Sequence, residues 1–272
     1  MTSLLDKKRI FEYLEKEGKR LDGRKPLDVR KIEFEENISE NAEGSVSVKI
    51  GETEVYAGVK LSINEPYPDS PDEGSMSVNV ELSPMADEDF ELGPPKIDAI
   101  EMARIVDRGI RESKFIDFKK LCIKEGEKSF TINIDIYAIN NEGNLLDACS
   151  LAALSALCLA KMPKYNEKEE KIEKEITNKP LPLRRENMPI MVTFYKIGKK
   201  FIIDPKRDEE EIADYRLSIA ISEEDEEIKI NAIQKGREGS ISFEEIEEIL
   251  KKLEEIYRKQ YLKIKEKILS YG

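Results

Sequence analysis

The sequence predicts an α+β protein built as two units of similar plan. Three observations point there. Runs of β-branched residues with strand-like alternation lead into a helix-forming segment, and that order occurs twice. A charged, proline-bearing stretch without an apolar face, 166–188, separates the two occurrences and predicts a linker or an exposed loop. With 272 residues, 39% hydrophobic and 38% charged, the chain can bury one large core or two smaller ones. The first unit is expected over 1–165, with an N-terminal helix, and a smaller second over 189–272. The two halves share no visible repeat.

MTSLLDKKRIFEYLEKEG predicts a helix capped by Ser3 and stopped by Gly18. RLDGRKPLDVRKI (20–32) clusters basic residues around a tight turn and, on charge alone, predicts a solvated loop. SVSVKI (45–50), TEVYAGVKLSI (53–63) and SMSVNVEL (75–82) read as strands, with turn residues at Gly51 and through Pro66, Pro68 and Pro71. A helix carrying EMARIVDRGIRES (101–113) follows Pro94 and Pro95. SFTINIDIYAI (129–139) alternates cleanly. DACSLAALSALCLAKM (147–162) is apolar nearly all round, which predicts a helix buried on most sides. In the second half PIMVTFYKI, KKFIID, YRLSIAI and IKINAIQ predict strands. Ser242 and Glu245 form a capping box that opens a long helix through Ile268, with Ile246, Leu250, Leu253, Tyr257 and Ile264 as its apolar positions.

Composition narrows the chemistry. The chain has no histidine, which removes Ser-His-Asp and Cys-His nucleophile systems and the commonest zinc ligand. Cys122, Cys149 and Cys158 form no CxxC pair; the latter two lie in an apolar run and predict buried structural thiols. Free thiols suit a reducing cytoplasm, where the protein is expected. The heavy use of Lys and Glu would suit a thermophile. The first residues are too charged for a secretory signal, and the longest uncharged apolar run, Ala148 to Ala160, is shorter than the roughly 20 residues that span a bilayer. A soluble protein without a membrane partner is expected. At a formal net charge of -12, any polyanion has to meet a local positive patch.

Arg104, Arg108 and Arg111 supply such a patch. At helical spacing they fall within an arc of about 60°, opposite Ala99, Met102, Ala103, Ile105, Val106 and Ile110. Guanidinium forks match phosphate oxygens in pairs, so the stripe suits an anion. Asp107 stands four residues before Arg111, Glu112 four after Arg108, and Glu101 is also near, so intrahelical ion pairs account for the same pattern. Both readings stand at this point.

Other candidates carry less. The acidic runs Asp208–Glu211 and Glu223–Glu227 lack chelating spacing and predict solvated loops; no metal and no cofactor are expected. Asp214, where a strand begins, is a candidate acid without a placed partner. NNEGNLLDA (140–148) feeds a helix N-terminus, a place that often holds phosphate. It lacks a basic or hydroxyl side chain, so a plain helix start with Asp147 near the cap is the better reading.

Arg20-Leu-Asp22-Gly23-Arg24 followed by Leu27-Asp28-Val29-Arg30 resembles the opening signature of RNase PH-like proteins. The likeness continues through AEGSVSVKIGETEVYAGVKLSI, VNVELSPMA, LGPPKIDAIEMARIVDRGIRES, GNLLDACSLAALSALCLAK, IIDPKRDEEEIADYRLSIAI and QKGREGSIS, nearly the whole chain. It is most similar to the non-catalytic RNase PH-like subunit of the archaeal exosome. The resemblance implies an RNase PH-like fold, with a first domain of the ribosomal-protein-S5-domain-2-like kind and a smaller second one. It implies a hexameric ring, a trimer of heterodimers with a catalytic RNase PH-like sister subunit, carrying RNA-binding cap subunits on one face. Single-stranded RNA would be shortened there from its 3′ end by phosphorolysis. It further implies that Arg104 and Arg108, with Arg111 on the same face, hold RNA phosphates near the sister's active site. Catalytic members carry a Gly-Ser/Thr-Arg phosphate cradle where this chain has Gly143-Asn144-Leu145, so no catalytic residue is expected here. Asp214 falls where active members keep their acid; a phosphate-dependent exoribonuclease acting through it is the alternative.

Overall fold

The first helix, α1 (Leu4–Glu12), runs into one wide π-type turn and stops at Gly18, whose φ of 61° is the left-handed conformation that glycine adopts without strain. The structure, a computed structural model, describes residues 4–166, 169–224 and 227–271. The expected cap Ser3 lies outside the described residues. The buried Ile10 of α1 and Leu14 of the turn after it pack on Tyr195, Ile197, Ile202 and Ala213 of the second unit.

The first sheet is built from β1 (Ile32–Glu36), β2 (Gly44–Ile50), β3 (Thr53–Asn64) and β4 (Ser75–Leu82), then, after α2 (Ile97–Glu112), β5 (Cys122–Lys124) and β6 (Lys128–Asn140). Its order is β1-β2-β3-β6-β4, with β5 on β6. All pairs are antiparallel except β4 with β6, where Val78 lies opposite Ile134. The three expected strands and the alternating one form within a residue of their expected bounds. The sequence reading passed over β1, an edge strand whose alternate glutamates face solvent.

Helix α3 (Leu145–Leu159) is buried along its whole length because it lies between layers, with β2 and β3 on one side and the second unit on the other. This accounts for a helix apolar on every face. Cys149 and Cys158 are buried there, and burial pushes both thiols up to about 12.

The stretch expected to be a linker or exposed loop contains a hairpin instead. β7 (Lys161–Asn166) pairs with β8 (Lys171–Pro180), Tyr165 opposite Ile172, with register shifts on either side of Pro163. Backbone pairing needs no apolar face, and a proline inside the strand hid it from a pattern search.

The second unit is a four-stranded antiparallel sheet from β9 (Ile190–Ile197), β10 (Lys200–Ile203), β11 (Tyr215–Glu224) and β12 (Glu227–Gly236), ordered β10-β9-β11-β12. A short helix, α4 (Arg207–Ile212), precedes β11. At the end, α5 (Phe243–Ile256) passes through a wide turn into α6 (Leu262–Leu269). The capping box forms: Ser242 Oγ accepts from Glu245 N–H at 3.2 Å, and Glu245 Oε2 accepts from Ser242 N–H at 3.0 Å. Leu253 and Tyr257 are buried as expected, but Ile249, Ile256 and Tyr261 complete that face, while Ile246, Leu250 and Ile264 are half-buried. Past the wide turn the buried positions are Tyr261, Lys265 and Ile268.

Three expectations of solvated loops are overturned. Asp208–Glu211 belongs to α4, and Glu209 is buried against Arg20, whose guanidinium also donates to the Ile203 and Asp204 carbonyls. The basic turn at 20–32 is a clamp: Arg24 and Arg30 both bond to the buried Asp204 carboxylate, at 2.8 and 2.7 Å. Glu223 likewise pairs with Arg258 and accepts from the Tyr257 hydroxyl; 225–226 lie outside the described residues. These residues read as solvated because their partners are far away in sequence.

No helix among the described residues is long and apolar enough to cross a membrane.

Candidate nucleic-acid interface

Helix α2 starts just after Pro94 and Pro95 and buries Ala99, Ile105, Val106 and Ile110, with Met102 and Ala103 half-buried against the same core. Gly109 lets it sit close to the second sheet: a β-carbon there would stand 3.2 Å from Met191 and 3.3 Å from Ala220. The arginine face is therefore carried on a helix fixed against both units. Arg104, Arg108 and Arg111 all reach the exposed side.

They differ in what holds them. Arg111 donates to both Asp107 carboxylate oxygens, at 3.1 and 2.8 Å, and to the Met76 carbonyl at 3.1 Å. Its guanidinium also lies 5.6 Å from the Phe118 ring centre, and the Asp107 hydrogen bond raises its pKa further. Glu101 turns away to Arg216, 2.7 Å off. The Arg104 and Arg108 side chains form no hydrogen bond or ion pair among the described residues. Intrahelical pairing thus accounts for Arg111 alone. The two unpaired arginines line, with Met76–Val80 of β4, a groove of about 410 Å³.

The turn before α3 is a different site. Gly143 has a φ of 86°, and a β-carbon would fall 2.5 Å from the Pro205 carbonyl. Asn144 is buried in a left-handed conformation. Its N–H donates to Glu210 Oε1 at 3.1 Å, and its side-chain amide to Asp204 Oδ1 at 3.0 Å. Arg30 donates to the Glu142 and Gly143 carbonyls, both at 3.0 Å. Burial raises the Glu210 carboxyl above its ordinary value, while the Tyr195 hydroxyl at 2.6 Å and the Asn144 N–H favour its charged form. Burial alone would raise Asp204 as well, but Arg30 overrides it and holds that carboxyl below its usual range. Two carboxylates of the chain itself therefore occupy the surroundings of a helix N-terminus that could otherwise take an anion.

A cleft of about 490 Å³ opens beside this turn, lined in part by Arg207, Arg216 and Arg237. None is free: Arg207 pairs with Asp87 and Asp89 at 2.7 Å, Arg216 with Glu101, and Arg237 donates to the Ala213 carbonyl at 3.1 Å. Asp214 does not line the cleft; its carboxylate accepts from Gly198 N–H at 3.1 Å and caps the β9–β10 turn. Asp147 lies in the first turn of α3, near the cap as expected. It is buried, accepting from Thr193 N–H and Oγ1, and burial pushes it up to about 7. Glu210 and Arg216 were missed by the sequence reading; an arginine opening an otherwise apolar strand was the one available signal.

Residues 28–163 match the sequence profile of the 3′ exoribonuclease family, domain 1, and residues 187–252 that of its domain 2. An exosome complex component Rrp42 from Thermococcus kodakarensis is 45% identical over 261 residues, covering 96% of this chain and 93% of the relative. A chain from an Archaeoglobus fulgidus exosome with RNA bound to the active site superposes with a TM-score of 0.84 at 40% identity, over 95% of this chain and 97% of that one. A chain of an archaeal exosome core gives 0.81 at 36% identity, over 97% and 96%. With two domains of the RNase PH type and relatives of this closeness over nearly its full length, the chain belongs to the 3′ exoribonuclease, or RNase PH, family.

Proposed function

We propose that the chain is a non-catalytic subunit of an archaeal RNA exosome ring in the cytoplasm, a trimer of heterodimers with a catalytic RNase PH-like sister and RNA-binding caps. It binds single-stranded RNA and shapes the sister's active site, where phosphate shortens the RNA from 3′ to 5′. One contrast carries the reading. Arg104 and Arg108 stand unpaired in an open groove, while Glu210 holds the N–H of Asn144 at the turn where an active member would seat phosphate. A subunit whose own anion seat is filled and whose spare cations face outward serves a reaction centre on another chain.

The physical role follows from the groups. Guanidinium groups match phosphate oxygens in pairs, and the fixed helix presents two of them one turn apart. Such contacts neutralise backbone charge without reading bases, so binding is sequence-independent and weakens with salt. Arg111, already engaged by Asp107, contributes less than the other two.

The test is Arg104→Glu/Arg108→Glu in the ring reconstituted with the sister. RNA affinity and the degradation rate should both fall; unchanged values at moderate salt would remove the RNA role. The chain purified alone should release no nucleoside diphosphates from RNA in phosphate. Robust release without the sister would favour an exoribonuclease acting through Asp214 instead.

A further inference from the structure

Helix α2 carries two acids within one turn of Arg104, Glu101 before it and Asp107 after it. Either could neutralise that guanidinium, since residues three apart on a helix are neighbours. Neither does, because each is held by another arginine. Asp107 accepts from Arg111 on the same helix, and Glu101 Oε2 lies 2.7 Å from Arg216 Nη2. The second hold is the more specific, because Arg216 comes from the second unit.

Arg216 stands on β11 opposite Gly236 of β12, the strand against which α2 packs. The missing side chain at 236 makes room for the guanidinium. A β-carbon there would stand 2.7 Å from Arg216 Cζ and 2.8 Å from Nε. Arg216 Nη1 also donates to Ser218 Oγ at 3.4 Å. The Arg216 side chain is 13% exposed, against 38% for Glu101. A pair with one shielded member is screened less than an exposed pair within the helix, so Arg216 holds Glu101 in competition with Arg104.

We propose that Arg216 is a positioning residue of the arginine groove: it keeps the Glu101 carboxylate off Arg104 and so keeps that guanidinium open to phosphate. The inference rests on the RNA role given above to Arg104 and Arg108. Released from Arg216, Glu101 stands three residues before Arg104 with the acid on the N-terminal side, the order in which Asp107 already pairs with Arg111. The second unit thereby sets the charge of a groove that the first unit carries.

Arg216→Ala and Gly236→Ala release Glu101 in two ways. The first removes the guanidinium; the second keeps its charge and pushes aside only the end of a flexible side chain, where the backbone is not left-handed. In the ring reconstituted with the sister, either should weaken binding of single-stranded RNA about twofold to fivefold, the worth of an exposed ion pair. Either should also flatten the salt slope by about 0.7. Adding Glu101→Gln should restore parental affinity and slope. A loss that Glu101→Gln leaves in place would make Arg216 a structural residue or an RNA ligand in its own right, and overturn the proposal. Phenylglyoxal modification of the chain without RNA, mapped by mass spectrometry, reads the same step apart from function. Arg104 should react about twofold to fivefold more slowly in both variants, and at the parental rate once Glu101→Gln is added. Equal Arg104 rates in parent and variants would overturn the proposal whatever RNA does. Slowed modification with RNA binding unchanged would instead remove the RNA role of the groove and leave the hold on Glu101 standing.

Discussion

Glu210 Oε1 accepts hydrogen bonds from Asn144 N–H at 3.1 Å and from the Tyr195 hydroxyl at 2.6 Å, so the start of α3 holds an anion supplied by the chain itself. Restoring cradle side chains should therefore not be enough to bind phosphate. Asn144→Ser/Leu145→Arg is expected to stay without phosphate affinity in isothermal titration, and the same pair with Glu210→Ala is expected to gain it. Equal phosphate binding with and without Glu210 would show that the carboxylate blocks nothing.

The Arg20–Glu209 pair locks the N-terminal segment onto the second unit. Both side chains are buried, and Arg20 spends its remaining donors on the Ile203 and Asp204 carbonyls. Removing one partner leaves an uncompensated buried charge, so Glu209→Ala should lower unfolding free energy by about 3–5 kcal/mol. The loss should persist at high salt, because a buried pair is poorly screened. Denaturant titration of this variant at low and high ionic strength checks both statements; a loss that salt abolishes would mean an exposed pair.

Much of the fold and half of the site were legible in the sequence, and the physical reasons differ by residue. The strand 75–82 and the buried helix were read from local periodicity, which short-range backbone geometry enforces. The arginine stripe was legible too, but its pairing was not. Asp107–Arg111 has the acid on the N-terminal side, the favoured arrangement, and it forms; Arg108–Glu112 has the reverse order and does not. Glu101 was drawn off by Arg216, a partner in another element. Glu209 and Glu210 bond to residues 189 and 66 positions away, so no local pattern separates them from a solvated acidic run.

Asp147 gives the chain a pH dependence of definite sign. Its ordinary value is 3.8, and burial pushes it to about 7 in the fold. Between those values the folded chain keeps a proton that the unfolded chain has lost, so this site lowers stability as pH rises, by about 1.4 kcal/mol per pH unit at most. Asp147→Asn cannot ionise and should lose that slope. Compared with the parent by urea titration at pH 5, 6 and 7, the variant should gain ground steadily toward pH 7. Asp204, whose charge helps to raise Asp147, is itself held below its ordinary value and stays ionised from pH 5 to 7, so it adds no slope of its own in this range. A difference that does not change with pH would place the Asp147 titration elsewhere.

The three arginines should separate by the salt dependence of RNA binding in the assembled ring. Each phosphate neutralised on a single strand contributes about 0.7 to the slope of log affinity against log salt. Arg104→Ala/Arg108→Ala removes two unpaired cations and should flatten the slope by about 1.4. Arg111→Ala should change it by clearly less, because Asp107 and the Met76 carbonyl already hold that guanidinium. It should instead lower the melting temperature, since it also loses the Phe118 contact. Fluorescence anisotropy of a labelled RNA across a salt series reads the slopes directly. Equal slope changes for the two variants would mean that Arg111 leaves Asp107 when RNA binds, making the stripe a single three-arginine surface.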